Sequence, residues 1–339
     1  MPKSTRRIMV ARAVLATVLA SCGGGGGDGD QLLIYSGRSE NLVGPILERF
    51  AKETGVDIRV RYADTTELTP TLVEEGGRTR ADVFFSQDAG ALAALAGREL
   101  LAPLPSEVLD VVQPRFRDPG GRWVGVTGRA RVIAYNTQRL KQTDLPRSVL
   151  EVAGPRWAGK VGFPPTNASF VAFVSALIEQ VGPERTRGFL EGLRANGAKR
   201  YDNNVLTLQA VASGEVELGL VNHYYLYNEF KERPGAPVAN YFPGQEPGGE
   251  GTFVNVAGAG ILASSDNRAA AEHFVRYLLD SQAQSYFRDE TAEYPLRQGV
   301  EPIPELPPLA SLRTIDLPLE RLGRDLEASL RLLKEVGLT

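Results

Sequence analysis

The sequence is poor in the residues that enzymes most often use as nucleophiles and general bases. Its 339 residues include one cysteine and two histidines. A single cysteine excludes internal disulfides, and it cannot form a zinc-finger spacing. Neither a G-x-S-x-G motif nor a phosphate-loop motif is present. An enzyme, for instance an anion-binding transferase, is therefore the least supported class of function.

An excess of positive charge is also missing. The formal net charge is −3, so nucleic acid is not an expected partner. Hydrophobic residues make up 42% and charged residues 23% of the chain, which is typical of a soluble protein with a full core. At roughly 150 residues per domain, the length favours two domains.

The sequence has no apolar run long enough to span a membrane. The apolar run that matters for the prediction is a short one near the N-terminus. A basic segment, residues 3–12, precedes the run AVLATVLA at 13–20, which is too short to span a bilayer. This pattern predicts a signal peptide over residues 1–21. The order Leu19-Ala20-Ser21-Cys22 resembles the bacterial lipoprotein cleavage box, in which the cysteine is lipid-modified and begins the mature protein. A free cysteine in a disordered tail is the alternative.

A glycine-rich stretch, CGGGGGDGD at residues 22–30, follows the signal. Such a stretch buries no surface and acts as a flexible tether. Together the segments predict a protein that is anchored by lipid to a membrane of the cell envelope and faces the periplasm or the exterior. The Arg6-Arg7 pair resembles a twin-arginine signal only weakly, so the export route stays open.

From Gln31 onward, strand patterns alternate with helix patterns. Residues 56–64 alternate with period two, 80–85 and 160–163 are short apolar runs, and helical spacing separates them. This order predicts an α/β fold with a largely parallel sheet. In such sheets, ligands bind beyond the carboxyl ends of the strands.

Polar turns follow several of the predicted strands. Arg38 follows the first, and residues 166–169 open a helix after the strand at 160–163. The N-terminus of a helix binds anions through its free backbone N–H groups. An arginine in a turn adds a planar, positively charged guanidinium with several N–H donors. For any one turn taken alone, however, ordinary helix capping by Ser and Asn is the better interpretation.

The stretch NHYYLYN, residues 222–228, contains three of the 11 tyrosines. At a strand-to-helix turn, Tyr224 and Tyr225 can both reach one cleft. Tyr135, near the end of a predicted strand at 129–136, is a candidate for the same cleft or for a half-buried place in the sheet. A trivalent cation would hold such phenols as phenolates. Without context, aromatic packing is the better interpretation of the cluster.

A series of motifs supplies that context. From residue 32 to the end, the chain resembles the ferric-iron-binding proteins of bacterial ABC importers, the periplasmic bacterial transferrin family. The motifs, in order, are LLIYSGRSE, RADVFFSQD, TGRARVIAYN, GFPPTNASF, NNVLTLQAVASGE, GLVNHYYLYNEF and AEYPLRQGV. The resemblance implies a two-lobed, type II-like periplasmic binding protein fold, with two α/β lobes joined by crossing hinge strands and the ligand between them. Lobe 1 would comprise 31–130 and 255–305, and lobe 2 would comprise 131–254 and 306–339.

The resemblance also implies a tyrosine-rich iron site. Tyr135, Tyr224 and Tyr225 would bind ferric iron, and a synergistic anion, carbonate or phosphate, would complete its coordination. The residues matching the family's anion site are Arg38, Asn167, Ala168, Ser169, Asn204 and Asn222. Some members use a histidine and a glutamate where this chain has Ser39 and Gln87, which puts that type of site in doubt here.

The implied partner is an ABC permease, and the protein is expected to be a monomer. His223 is not a family ligand, and we expect it to lie behind the site or to be exposed. An importer binding protein for a small organic solute, of the thiamine, polyamine or phosphonate type, remains the alternative function. Three convergent phenols suit a trivalent metal better than an organic cation.

Overall fold

The computed structural model describes residues 31–339. The predicted signal peptide, Cys22 and the tether lie outside the described residues. No helix within 31–339 is long and apolar enough to cross a membrane.

The described strands and helices follow one another in the alternating order that the sequence predicts. The strands are β1 (Gln31–Ser36), β2 (Asp57–Tyr62), β3 (Val83–Ser86), β4 (Val124–Asn136), β5 (Val161–Phe163), β6 (Lys199–Arg200), β7 (Leu218–Asn222), β8 (Val238–Tyr241), β9 (Val254–Ile261) and β10 (Tyr294–Pro295). The helices are α1 (Glu40–Thr54), α2 (Thr65–Glu75), α3 (Ala89–Ala96), α4 (Ser106–Leu109), α5 (Ala168–Val181), α6 (Pro183–Ala195), α7 (Asn204–Ala212), α8 (Tyr225–Glu232), α9 (Arg268–Leu278), α10 (Ser281–Thr291) and α11 (Leu322–Glu335).

The sheet is mixed, which corrects the expectation of a largely parallel one. The strand order is β2-β1-β3-β9-β4-β7-β5-β6. Strand β1 is parallel to β2 and β3, and β5 is parallel to β6 and β7, as expected for strands joined through helices. The central strands β9 and β4 are antiparallel to each other and to the neighbours on either side, β3 and β7. The two parallel groups are therefore joined through an antiparallel centre.

Strand β4 passes from one group of strands to the other. Its residues up to Ala130 pair with β9, and its residues from Arg131 onward pair with β7 and β8. The change of partner lies between Ala130 and Arg131, within one continuous strand. Both parts of the strand are almost fully buried, so the crossing runs through the core.

Helix α11 contacts both groups of elements, although the family resemblance places residues 306–339 in lobe 2 alone. Near its start it packs on α3 so closely that a Cβ on Gly323 would lie 2.6 Å from the carbonyl oxygen of Gly90. Further along, Ser329 Oγ lies 2.7 Å from Ser175 Oγ of α5 in a buried hydrogen bond. The C-terminal helix thus braces the two groups of strands against each other.

Candidate metal centre

A polar cavity of about 610 Å³ lies between the two groups of strands. On one side its lining comes from the turns after β1, β2 and β3, and on the other from those after β5, β6 and β7. All of these positions lie at or beyond carboxyl ends of strands, as expected for a ligand site in an α/β fold. The lining includes Arg38, Tyr62, Asp64, Gln87, Asn167, Ala168, Asp202, Tyr224 and Tyr225.

The two adjacent tyrosines reach this cavity together. Strand β7 ends at Asn222 and α8 begins at Tyr225, so the pair occupies the predicted strand-to-helix turn. The rings of Tyr224 and Tyr225 stack with their centroids 4.2 Å apart and their planes at 30°. Tyr224 is fully buried, yet its hydroxyl has no hydrogen-bond partner among the described residues.

The Tyr225 phenol is protonated in the protein as it stands. Burial raises the pKa of Tyr225 well above its ordinary value, and the Tyr224 phenol acts in the same direction. The charges of Arg129 and Arg38 oppose this rise in the Tyr225 pKa. A ligand that converts these phenols to phenolates must therefore be a strong Lewis acid, such as a highly charged cation.

Arg38 lines the cavity but is held by protein contacts. Its Nη1 donates to Gln87 Oε1 at 2.6 Å, and its Nη2 lies 2.6 Å from Glu293 Oε2. Its Nε is buried without a partner in the described chain, so this N–H is free to donate to a ligand. Glu293 was not identified as a site residue from the sequence, although it lies within the AEYPLRQGV motif.

The start of α5 is capped as ordinary helix chemistry requires. Asn167 Oδ1 accepts from the backbone N–H of Ser169 at 3.1 Å and from its hydroxyl at 2.6 Å. The same oxygen accepts from Asn204 Nδ2 at 3.1 Å. Asn167 and Ala168 line the cavity, while Ser169 and Asn204 are buried behind them. Asn167 therefore caps α5 and lines the cavity at the same time.

Arg131 is a component of the site that the sequence did not reveal. Its Nη1 donates to Ser169 Oγ at 3.3 Å, to Asn204 Oδ1 at 3.2 Å and to Asn222 Oδ1 at 3.4 Å. Burial lowers the pKa of Arg131 to about 9, and the Tyr225 and Tyr224 phenols act in the opposite direction. The side chain is therefore still a cation at neutral pH.

Contrary to the prediction, Tyr135 does not reach the cavity. In the antiparallel pairing of β4 with β7, Arg131 lies opposite Asn222 and Tyr135 lies opposite Leu218. Four residues of strand place Tyr135 about 13 Å further from the tyrosine turn. Both strands belong to the same sheet, so a movement of the lobes would not close this gap. Tyr135 is instead a half-buried residue of the sheet, which is the alternative given for it above.

His223 is fully buried behind the tyrosine pair, so the possibility that it is exposed is excluded. Its Nδ1 accepts from the backbone N–H of Ala130 at 3.1 Å, and its Nε2 lies 2.9 Å from Ala292 O. A neutral ring protonated on Nε2 satisfies both contacts. Burial lowers the pKa of His223 to about 4, and the charge of Arg129 acts in the same direction.

Buried polar atoms without partners are concentrated around the tyrosines. Native interiors pair nearly all such atoms, so a group of them needs an explanation. Six of the eleven found in the described chain belong to this region: Tyr224 OH, Arg38 Nε, Arg129 Nε and Nη1, Arg131 Nε and Glu293 Oε1. Within residues 31–339, no three His, Cys, Asp or Glu side chains are arranged to hold a metal ion. A metal in this cavity would therefore depend on the tyrosine phenols.

Comparisons with known proteins agree with this geometry. Residues 79–317 match the family described as bacterial extracellular solute-binding protein. The Fe(3+)-binding periplasmic protein of Serratia marcescens is 35% identical over 286 residues, 83% of each chain. The major ferric iron-binding protein of Neisseria meningitidis serogroup B is 31% identical over 343 residues, the whole of both chains.

Solved structures give the same result. Iron-bound HitA from Pseudomonas aeruginosa superposes with a TM-score of 0.85 at 35% identity, covering 91% of this chain and 99% of that one. FutA from Trichodesmium, in complex with iron and citrate, superposes with a TM-score of 0.79 at 28% identity, covering 91% and 100%. The predicted two-lobed, type II-like α/β fold is confirmed by this likeness.

Proposed function

The chain belongs to the family of bacterial extracellular solute-binding proteins, and from that membership we propose that it captures ferric iron and delivers it to an ABC permease. The family consists of transport proteins, so the expectation that the chain is not an enzyme is confirmed. Relatives named for ferric iron favour this cargo over an organic solute of the thiamine, polyamine or phosphonate type.

The tyrosine pair is the observation that carries the proposal. Tyr224 and Tyr225 bring two phenol oxygens to one cavity, one of them buried without a partner. Hard cations bind oxygen ligands, and ligand protons are released on binding. Two phenolates and an oxyanion would surround ferric iron in this cavity. Tyr135 has no place in that set because it lies opposite Leu218, about 13 Å along the strand from the tyrosine turn.

A synergistic anion, carbonate or phosphate, fits the remaining groups. Arg38 offers its free Nε, and α5 presents its N-terminus with Asn167 and Ala168 at the cavity wall. Ser169, Asn204 and Asn222 support this wall from behind. The complex of the Trichodesmium protein with iron and citrate shows that an anion accompanies iron in that relative.

Lobe closure would enclose the cargo. We assign residues 31–130 and 255–305 to one lobe and 131–254 and 306–339 to the other, because β4 changes partners between Ala130 and Arg131. Crossing strands of this kind act as a hinge in two-lobed binding proteins. The bracing of both lobes by α11 would restrict how far the cleft can open.

The N-terminal segments suggest where this capture takes place. Lipid modification of Cys22, followed by the glycine-rich tether, would hold a monomeric protein at the membrane surface beside its permease. Labelling cells with a clickable fatty acid tests this directly: the wild-type protein is expected to carry the label and Cys22→Ser to lack it.

The visible absorption of the iron complex tests the proposal that the protein binds ferric iron. Ferric iron added with bicarbonate to the purified protein is expected to give the orange-red band of phenolate-to-iron charge transfer. Tyr224→Phe or Tyr225→Phe should remove most of the band. Tyr227→Phe is the matched control, because its hydroxyl lies 3.4 Å from Glu305 O, away from the cavity. A colourless wild-type protein with carbonate and with phosphate would refute the proposal.

A further inference from the structure

Three carboxylates surround the entrance of the cavity. Glu40, Asp64 and Asp202 line it from exposed positions, whereas Arg38 and Tyr224 line it from buried ones. Glu40 and Asp64 follow β1 and β2 on one side, and Asp202 follows β6 on the other. Together these three side chains form the mouth of the cavity, and a ligand must pass them to reach Tyr224.

The protein does not use the carboxylates of the mouth for its own structure. Within residues 31–339, none of the three side chains forms a hydrogen bond or an ion pair. Asp64 occupies the N-cap position of α2, yet its carboxylate accepts no capping hydrogen bond. Asp88, at the same position of α3, does accept from the backbone N–H groups of Gly90 and Ala91. The carboxylates of the mouth are therefore available to a ligand.

No exposed cation in the described lining balances the mouth. Among the described residues that line the cavity, Arg38 is the one cation, and it is buried in its ion pair with Glu293. Arg129 and Arg131 are also buried, and neither of them lines the cavity. The charges that an incoming ligand meets first are therefore the three carboxylates.

Ordinary helix chemistry accounts for only part of this charge. Acidic residues are favoured at helix N-termini, and all three lie at one. Glu40 is the first residue of α1, Asp64 is the N-cap residue of α2, and Asp202 directly precedes the N-cap residue of α7. A helix N-terminus carries about half a positive charge, so three of them offset about half of the three negative charges. The mouth remains negative.

An independent observation points to a ligand behind the mouth. The hydroxyl of Tyr224 is fully buried and has no hydrogen-bond partner among the described residues, and the residue lines the same cavity. Native interiors pair nearly all buried polar atoms, so this hydroxyl indicates a ligand. Charges around an entrance attract ligands of opposite sign and repel those of like sign. The mouth therefore acts on whatever approaches Tyr224.

We propose that the mouth selects the chemical form in which iron enters: it admits ferric complexes of positive or no net charge and repels anionic ferric chelates. This inference rests on the proposed function and adds the class of iron complex from which the protein loads. Coulomb repulsion grows with the charge of the ligand, so a bicarbonate monoanion is hindered far less than a polyanionic chelate. An anionic chelator must therefore release its iron before the iron passes the mouth.

Two ferric complexes of different charge test this selection. Nitrilotriacetate has three carboxylates, so its ferric complex is close to neutral, whereas ferric trisoxalate is a trianion. Each complex is mixed in the dark with the purified iron-free protein in bicarbonate buffer, and the growth of the charge-transfer band is followed by stopped flow. The slope of the observed rate against protein concentration gives a second-order rate constant, which does not include iron that dissociates in solution before capture.

Salt reveals the sign of the charge that the complexes meet. Raising sodium chloride from about 0.01 M to about 0.1 M shortens the Debye length from about 30 Å to about 10 Å. The wild-type rate constant for trisoxalate should rise, because the repulsion between like charges is screened, and that for nitrilotriacetate should change less. A trisoxalate rate constant that falls with salt would mean that the buried arginines attract the complex, and it would overturn the inference without any variant.

Neutralising the mouth should remove the selection. In the triple variant Glu40→Gln, Asp64→Asn and Asp202→Asn, the ratio of the trisoxalate rate constant to the nitrilotriacetate rate constant should increase about tenfold. The rise of the trisoxalate rate constant with salt should also become weaker. A merely structural effect of the substitutions would not change the sign or size of this salt dependence.

A control variant separates the local effect of the mouth from that of net charge. The triple variant Glu184→Gln, Glu191→Gln and Glu301→Gln removes the same formal charge at exposed positions outside the cavity, and it should keep the wild-type ratio. The thermal midpoint of each iron-free variant reports whether it is folded. If the mouth variant does not fold, the salt dependence of the wild-type protein decides.

Two results with the variants would overturn the inference while the proposed function stands. One is a folded mouth variant that keeps the wild-type ratio. The other is a control variant whose ratio changes as much as that of the mouth variant, because net charge alone would then suffice. A wild-type protein that forms no coloured complex from either source, nor from ferrous iron oxidised by air in bicarbonate, would instead overturn the proposed function, and this inference with it.

Discussion

Arg38 and Glu293 form an ion pair that is sealed from solvent. Arg38 Nη2 lies 2.6 Å from Glu293 Oε2, and both side chains are fully buried. The two residues are 255 positions apart, and their contact joins the turn after β1 to the segment between α10 and β10. The arginine expected to meet an anion is therefore positioned by the protein before any anion binds.

Replacing Glu293 by Gln should destabilise the iron-free protein strongly. Removing one partner leaves the Arg38 charge buried without a counter-charge, which costs about 3–5 kcal/mol of unfolding free energy. Urea unfolding followed by circular dichroism measures the change.

Glu335→Gln is the matched control for this substitution. The Arg187–Glu335 pair has the same 2.6 Å separation, but its side chains are 37% and 47% exposed. Its loss should cost far less, because solvent screens the charges of an exposed pair. Equal costs for the two substitutions would mean that burial of the Arg38–Glu293 pair is not what matters.

Tyr135→Phe should leave the ferric charge-transfer band unchanged in position and intensity. Its ring lies opposite Leu218, about 13 Å along the sheet from the tyrosine turn, so its phenol cannot contact the same ion. Visible spectra of the iron-loaded variant beside Tyr224→Phe give the comparison. A loss of colour equal to that of Tyr224→Phe would restore Tyr135 as a ligand.

The error over Tyr135 shows what periodicity can and cannot predict. Period two identifies which residues of a strand share a face, and the rule for α/β sheets places ligands at carboxyl ends. That rule applies to parallel strands. Strand β4 runs antiparallel to β7, so the arginine Arg131 lies at the tyrosine turn and Tyr135 lies away from it. Whether a strand runs parallel or antiparallel to its neighbours cannot be read from a single sequence.

Local signals predicted much of the secondary structure around the candidate site. Alternation and apolar runs located most strands, and the change of pattern after residue 221 placed Tyr224 and Tyr225 in a turn. The partners of the buried arginines were not predictable, because contacts such as Arg38 with Glu293 depend on tertiary packing. Strand β4 begins five residues before its predicted start, at Val124, in a glycine-rich stretch. There Gly125 is required, since a Cβ would lie 2.6 Å from Phe116 O.

The iron-free protein should become less stable as the pH is lowered, because of His223. Burial lowers its pKa to about 4, from an ordinary value of 6.5. Between these values the unfolded chain binds a proton that the folded protein does not. The contribution is therefore full above pH 6.5 and is lost as the pH falls toward 4, with a total of about 3 kcal/mol.

Urea unfolding at about pH 7.5 and about pH 4.5 measures this dependence. His223→Gln removes the titrating group and should reduce the loss of stability between the two conditions. His273→Gln, at the only other histidine of the sequence, is the matched control for replacing an exposed histidine by glutamine. An unchanged pH dependence in His223→Gln would show that other groups control it.

The contact between α11 and α3 should tolerate no added methyl group. A Cβ on Gly323 would lie 2.6 Å from Gly90 O and 3.0 Å from Ala94 N, and backbone atoms cannot rotate away as a side chain can. Gly323→Ala must therefore push α11 from α3 and should lower the unfolding free energy by about 1–3 kcal/mol. Gly188→Ala in α6 is the matched control, with nothing within 4 Å of the new Cβ, and should be stabilising by about 0.5–1 kcal/mol. If Gly323→Ala were also stabilising, the helix would not be clamped against α3, and its role as a brace between the lobes would have to be abandoned.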